Sequence, residues 1–231
     1  KFIMKRIPAF LCLVIVLYSC AGNKPKGSYT ALTHDPILFS KTVKKLNDIV
    51  LENNFPPMIA ARNYAYASIA AYECVAAGDS LYPTLAGQVK HMPAMPAPLP
   101  EAKVDFPLAA MLSFIKVGNA VTFPEGSMMD YYDQLLHMCD SIGMPEDVLE
   151  DTRTFSDTIA ASILKWSRGD KYAETRGGIR YTINDSAGRW VPTPPMYASG
   201  LEPQWMMIRP FVLDSASQFK PNRPPAYNIR D

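Results

Sequence analysis

Between residues 36 and 168, apolar side chains recur at helical spacing in five stretches, each bounded by proline, glycine or asparagine. The first helix is expected from Pro36 to about Asn53, with Asp35 as its N-cap and Pro36 in the first helical position. Leu38, Thr42, Leu46, Ile49 and Val50 fall on one face, and Lys41, Lys44, Lys45 and Asp48 on the other. Pro56-Pro57 opens a second helix running to Ala77, stopped by Gly78. Its sequence is apolar or small almost all round, with charge only at Arg62 and Glu73, which predicts the buried central helix. Residues 82–103 are proline-rich and aperiodic and read as an irregular crossing loop. A third helix spans Asp105 to Thr122, a fourth Met128 to Ile142, and a fifth runs from Pro145 to about Ser167.

After Gly169 the pattern changes. Lys171 to Asp231 holds many prolines and aromatics and no convincing helical period. Ile179–Ile183 and Arg189–Val191 flank a polar turn, Asn184–Gly188, and this pattern allows a small β-hairpin. The remainder reads as an extended wrap over a helical surface. The fold class is therefore all-α, a bundle of about five helices with a Pro-rich irregular C-terminal segment.

The chain's start reads as an address, not as fold. Lys5 and Arg6 precede an apolar run, Phe10 to Tyr18, of about nine residues, too short to cross a bilayer core of roughly 30 Å as a helix. The run ends at Leu17-Tyr18-Ser19-Cys20-Ala21-Gly22, which resembles the bacterial lipobox. That resemblance implies a lipoprotein signal peptide over residues 1–19, acylation at Cys20, and attachment to the membrane of the bacterial cell envelope. Two or more acyl chains give a stable anchor where one does not. Residues 20–33 are expected as a tether, 34–169 as the helical bundle, and 170–231 as the wrap.

Charge changes the picture little. The chain has 23 Lys plus Arg and 22 Asp plus Glu. Loss of residues 1–19 would remove Lys1, Lys5 and Arg6 and no acid, leaving a formal charge near −2. No basic stripe remains for a nucleic-acid partner. Cys74 and Cys139 sit in apolar helical surroundings and read as small hydrophobes. No Cys or His cluster has metal-ligand spacing, so no metal ligand is assigned.

Three stretches, in this order, are similar to vanadium-dependent haloperoxidase-like proteins of the type 2 phosphatidic acid phosphatase superfamily. They are FPPMIAARNYAYASIAAYE at residues 55–73, WVPTPPMY at 190–197, and LEPQWMMIRPF at 201–211, leading into Gln218-Phe219 and Pro224-Pro225. The likeness covers most of residues 35–227 and corresponds to the helical N-terminal half of the family. It implies an enzyme, haloperoxidase or phosphatase, whose vanadate or phosphate sits between helices. Fixed cations there neutralise the oxyanion while imidazoles bind it and move protons.

The family's oxyanion motifs are Lys-x6-Arg-Pro, Ser-Gly-His, and a later Arg and His. In this sequence the residues seven positions before Arg209-Pro210 and Arg223-Pro224 are Glu202 and Ala216, not lysine, and Lys220 lies only three before Arg223. Ser199-Gly200 is followed by Leu201, and histidine occurs only at 34, 91 and 137. No catalytic or cofactor-binding residue is therefore assigned, and no cofactor is expected to bind this chain alone. The motifs are expected in a C-terminal catalytic half that partners these residues. The alternative is a non-enzymatic surface lipoprotein that keeps the helical half as a binding or scaffolding module.

Arg62, Tyr66 and Glu73 share one stripe of the second helix at 100° per residue and are the candidate polar site. The stripe either supports an oxyanion pocket from behind or ties this helix to a neighbour, and in both cases its buried charges require partners. Trp190, Tyr197, Trp205 and Phe211 are expected to staple the proline-rich segment onto the bundle. Lys171, Arg176, Arg180 and Arg189 are expected as a solvated loop.

The order of basic, apolar and Cys-small elements predicts that cells fed labelled palmitate incorporate it into the chain at Cys20. Equal labelling of a Cys20→Ser variant would show that the lipobox resemblance is accidental.

Overall fold

The computed structural model of the chain describes residues 28–122, 128–223 and 225. Cys20 and its flanking signal elements lie outside the described residues. The helices are α1 (Tyr29–Thr33), α2 (Pro36–Glu52), α3 (Pro57–Gly78), α4 (Phe106–Val121), α5 (Met129–Ser141), α6 (Glu146–Arg168) and α7 (Tyr172–Arg176), followed by a 3-10 turn at Trp205–Met207. Helices α2 to α6 are the five that the sequence pattern predicts, each within a residue or two of its expected ends.

Local chemistry explains these boundaries. The Asp35 carboxylate accepts from the Ile37 amide at the start of α2, and Asp105 accepts from the Leu108 amide at the start of α4. A proline stands in the first turn of α2, α3 and α4, where its missing N–H costs nothing. Glu146 and Asp147 open α6, and Lys165 and Arg168 close it, matching the helix dipole at both ends. The buried face of α2 is Leu38, Thr42, Leu46, Ile49 and Val50, as its period predicts.

The expected ranking of the helices changes in one respect. α4, not α3, is the central helix: Leu108 to Ile115 are all buried without a break, and α4 packs against α3, α6, α2 and α5. α3 buries one face, including Ile59, Tyr66, Ala67, Ala70, Ala71 and Cys74, while Ala61 and Ser68 are exposed. Small residues made α3 look apolar all round; they allow close approach of its neighbours without requiring burial on every side.

Gly78 illustrates close approach. It is the last residue of α3, and a Cβ built there would overlap the Phe106 ring at the start of α4. Phe106 in turn meets Phe155 of α6 edge-on, with ring centroids 5.9 Å apart. Gly78 thus lets three helices meet, beyond ending one.

The crossing loop between α3 and α4 is irregular, as expected, but pinned. Glu73, 2% exposed, accepts from the Thr84 hydroxyl at 2.7 Å and the Leu85 amide at 2.7 Å. Asp105 closes the loop's far end: its carboxylate accepts from Thr33 at 2.9 Å and its amide donates to Thr152 at 2.9 Å. Thr33 is buried at the end of α1, so residues 29–33, within the stretch expected as tether, are helical.

Two expectations for the C-terminal segment fail. Among the described residues there is no β-strand, and only the Ala86–Val89 bridge has sheet-type pairing. The polar turn exists, with the Ser186 amide donating to Asn184 and the Arg189 amide to the Ser186 carbonyl, and Tyr181 packs edge-on against Trp190. A hairpin does not form because Ile179 and Ile183 face solvent, leaving no apolar face to hold a two-stranded ladder. The same region also carries α7 and the 3-10 turn, where no helix is expected; both are too short to show a period.

Gly78→Ala is expected to destabilise the fold by about 1–3 kcal/mol, the usual cost of forcing extra volume into a packed site. Thermal denaturation checks this, and an unchanged melting temperature would mean that Phe106 moves aside freely.

Candidate functional site

The candidate stripe on α3 divides into two places. Arg62 and Tyr66 converge on Asp170, just beyond the C-terminus of α6. Arg62 Nε donates to Asp170 Oδ2 at 2.7 Å, and the Tyr66 hydroxyl donates to the same oxygen at 2.9 Å. The Tyr172 amide donates to Asp170 Oδ1 at 2.9 Å. Glu73 lies about 16 Å further along the helix by its rise and serves the crossing loop instead, so the three do not form one site.

Burial sets the energetics of this pair. Arg62 is 9% exposed and Asp170 1%. Two charges removed from water are tolerated only when they are paired and their remaining lone pairs and protons are occupied. Arg62 satisfies this with Asp170, with the Asn63 side-chain oxygen, and with the rings of Tyr66 and Tyr172, 4.9 and 4.2 Å from its guanidinium carbon. The Tyr66 phenol is held far above its ordinary pKa, first by burial, then by the charge and hydrogen bond of Asp170, against the opposing pull of Arg209 and Arg62. It therefore stays a neutral donor at physiological pH.

Arg209 is the fourth member. Its backbone amide donates to the Asp170 carbonyl at 3.0 Å, which fixes the extended segment at the end of α6. Its guanidinium donates to the Tyr66 hydroxyl at 3.1 Å and the Trp166 carbonyl at 3.0 Å, and stacks 4.7 Å from the Trp166 ring. Phe211, two residues on, completes an aromatic trio, 5.3 Å from Tyr66 and 5.7 Å from Trp166 between ring centroids. These residues border a cavity of about 600 Å³ between α3 and the Trp205–Ala216 segment.

Sequence reasoning passed over both Asp170 and Arg209. Asp170 sits in a Gly-Asp-Lys turn that looks like ordinary loop, and its only signal is that a lone arginine in an apolar helix needs a carboxylate. Arg209 attracts notice as an Arg-Pro pair without the family lysine, which obscures its role as a tie between segments.

The remaining candidates scatter. Phe211 staples the wrap to the bundle and Trp205 is half-buried, but Trp190 and Tyr197 are 48% and 63% exposed and do not hold the segment down. Arg176 pairs with Glu202 at 2.6 Å, and Lys171, Arg180 and Arg189 are exposed. His34 lies 3.8 Å from Asp105 beside a separate, largely apolar cavity of about 590 Å³, and His137 contacts Ser141 on α5. Cys74 and Cys139 are free and buried. Burial pushes each thiol up to about 12, partly offset for Cys74 by its hydrogen bond to Ser113 and reinforced for Cys139 by the Asp105 charge. Among the described residues no three His, Cys, Asp or Glu side chains gather as a metal site, and no helix is long and apolar enough to cross a membrane.

No protein-family model matches the chain, and no curated protein matches it. Among solved structures it is similar to the crystal structure of the first bacterial vanadium-dependent iodoperoxidase, at 37% identity and a TM-score of 0.79. The match covers 83% of this chain and 46% of that one, so the chain spans less than half of the iodoperoxidase's length. The fold is haloperoxidase-like.

Removing one partner of a buried ion pair costs about 3–5 kcal/mol. Arg62→Ala is therefore expected to lower the melting temperature by roughly 10 °C, at a few degrees per kcal/mol for a domain of this size. Differential scanning calorimetry decides it; a change within error would mean that water already reaches Arg62.

Proposed function

We propose that this chain is the helical portion of a haloperoxidase-like or phosphatase-like enzyme that acts through an oxyanion site, and that it is inactive alone. The carrying observation is the match to the iodoperoxidase over 83% of this chain but 46% of that protein, joined to a sequence without Lys-x6-Arg-Pro or Ser-Gly-His. Vanadate, or phosphate in a phosphatase, would be held by residues outside this sequence.

The donor set within the chain does not fit vanadate. Such an oxyanion needs several cations and an imidazole converging on one point. The cavity that Arg62 and Arg209 line has no histidine in its wall and already contains the Asp170 carboxylate. His34 and His137 belong to other parts of the fold.

The bundle's contribution is positional. Functional side chains must be held to about half an ångström, which requires rigid helices behind them. α3, α4 and α6 provide such a block, and the Arg62–Asp170–Arg209 cluster fastens the following segment to it. That segment exposes large apolar side chains: Ile179 is 85% exposed, Met196 84% and Phe219 78%. These exposed side chains are compatible with a further protein layer over the segment, the place this reading gives to a C-terminal catalytic half. A lipid anchor at Cys20 would hold the whole at the membrane of the cell envelope.

The purified chain is expected neither to oxidise bromide or iodide with vanadate and peroxide nor to hydrolyse p-nitrophenyl phosphate. Reading on in frame past codon 231 is expected to encode the missing motifs, and the joined protein to bind vanadate. Turnover by the chain alone, lost on mutating His34, His91 or His137, would overturn the proposal.

A further inference from the structure

The cavity between α3 and the Trp205–Ala216 segment has an imbalance of charge that the tie between segments does not need. Two guanidinium groups, Arg62 and Arg209, meet one carboxylate, Asp170. That carboxylate is fully engaged, with Arg62 and Tyr66 on one oxygen and the Tyr172 amide on the other. Arg209 is left with neutral acceptors, the Tyr66 hydroxyl and the Trp166 carbonyl. Its Nε is buried and, among the described residues, has no hydrogen-bond partner. The guanidinium as a whole is only partly buried, lines the cavity, and forms no ion pair among the described residues.

Apart from Arg62, Tyr66 and Asp170, the walls around this guanidinium are apolar. Met58, Ala61 and Ala65 of α3 face Trp205, Ile208 and Phe211 across about 600 Å³, a volume ordinary for small-molecule sites. We propose that this cavity is a binding site for a small monocarboxylate with an apolar or aromatic tail, the carboxylate accepting from Arg209 and the tail lying along the alanine face of α3. A single negative charge matches the single uncompensated guanidinium. A dianion such as a phosphate ester would put surplus negative charge beside Asp170. Planar carboxylates also suit the guanidinium fork, and burying the tail supplies the remaining affinity. The proposal stands apart from the oxyanion enzymology above, since it uses only residues within this chain.

The test is isothermal titration of the purified chain with 3-phenylpropionate, its neutral amide, and phenyl phosphate. The acid is expected to bind saturably, and the amide at least about tenfold more weakly, the factor a charge-assisted hydrogen bond provides. Phenyl phosphate is expected to bind more weakly than the acid. Arg209→Gln should abolish the preference for acid over amide. Because that variant can also loosen the segment, Ala65→Leu serves as a second probe: it fills the cavity, leaves every charged group in place, and should weaken the acid at least tenfold with the circular dichroism unchanged. Absence of saturable binding, equal affinity for acid and amide, tighter binding of phenyl phosphate, or an Ala65→Leu variant that binds like the parent would each overturn the proposal.

Discussion

The buried Arg62–Asp170 pair is the constraint on which the lower half of this structure depends. Asp170 sits two residues past the end of α6, and Arg62 in the second turn of α3, 108 positions earlier in the chain. Neither charge can be left unpaired in its surroundings, so the pair sets where the end of α6 meets α3. Three further ties in the region use Asp170 itself. Tyr66 donates to Asp170, α7 begins with the Tyr172 amide on Asp170, and the extended segment is held by the Arg209 amide on the Asp170 carbonyl. Three stretches of chain without a common helix are thereby fixed to one residue, two through its carboxylate and one through its backbone carbonyl.

Above that point the bundle is held by size rather than charge. The run of alanines in α3 and the glycine at its end bring α4 close, and α4, buried on almost every side, takes up contacts with four helices. The long loop between α3 and α4 puts Met92 into the core and packs Leu85, Val89 and Met95 against it; it is fastened at its ends by Glu73 and Asp105 and in its middle by the Trp166 indole donating to the Lys90 carbonyl. The Lys90 amide in turn donates to the Phe211 carbonyl, which links the crossing loop to the segment that Arg209 holds.

Five helices are readable in the sequence from local signals: a 3.6-residue period or an unbroken apolar run, with a proline or aspartate start at every one but α5. The lone arginine of α3 was readable as a group needing a partner, again locally. The partner was not, because Asp170 lies in a turn with no pattern of its own, and the contact depends on how α3 and α6 are arranged in space. The same limit explains Glu73: helical phase places it beside Arg62 on the wheel, but axial distance separates them, and its real partners lie in a loop without period. The hairpin was overread because alternation over five residues does not specify a strand when neither face has a surface to pack on. The centrality of α3 was overread because alanine is compatible with burial without demanding it.

The similarity to an iodoperoxidase covers 46% of that protein, and in this chain the cavity with two arginines has a carboxylate and no histidine in its wall. An oxyanion of two or three negative charges requires several fixed cations with no nearby carboxylate. The cluster here has two arginines, one of which is committed to Asp170 for structural reasons and cannot be released without breaking the junction of α3 and α6. What remains is one guanidinium, Arg209, whose side-chain hydrogen bonds go to the neutral Tyr66 hydroxyl and Trp166 carbonyl. The haloperoxidase-like shape rests on α3, α4 and α6, and among the described residues these helices bring no imidazole to the cavity that Arg62 and Arg209 line.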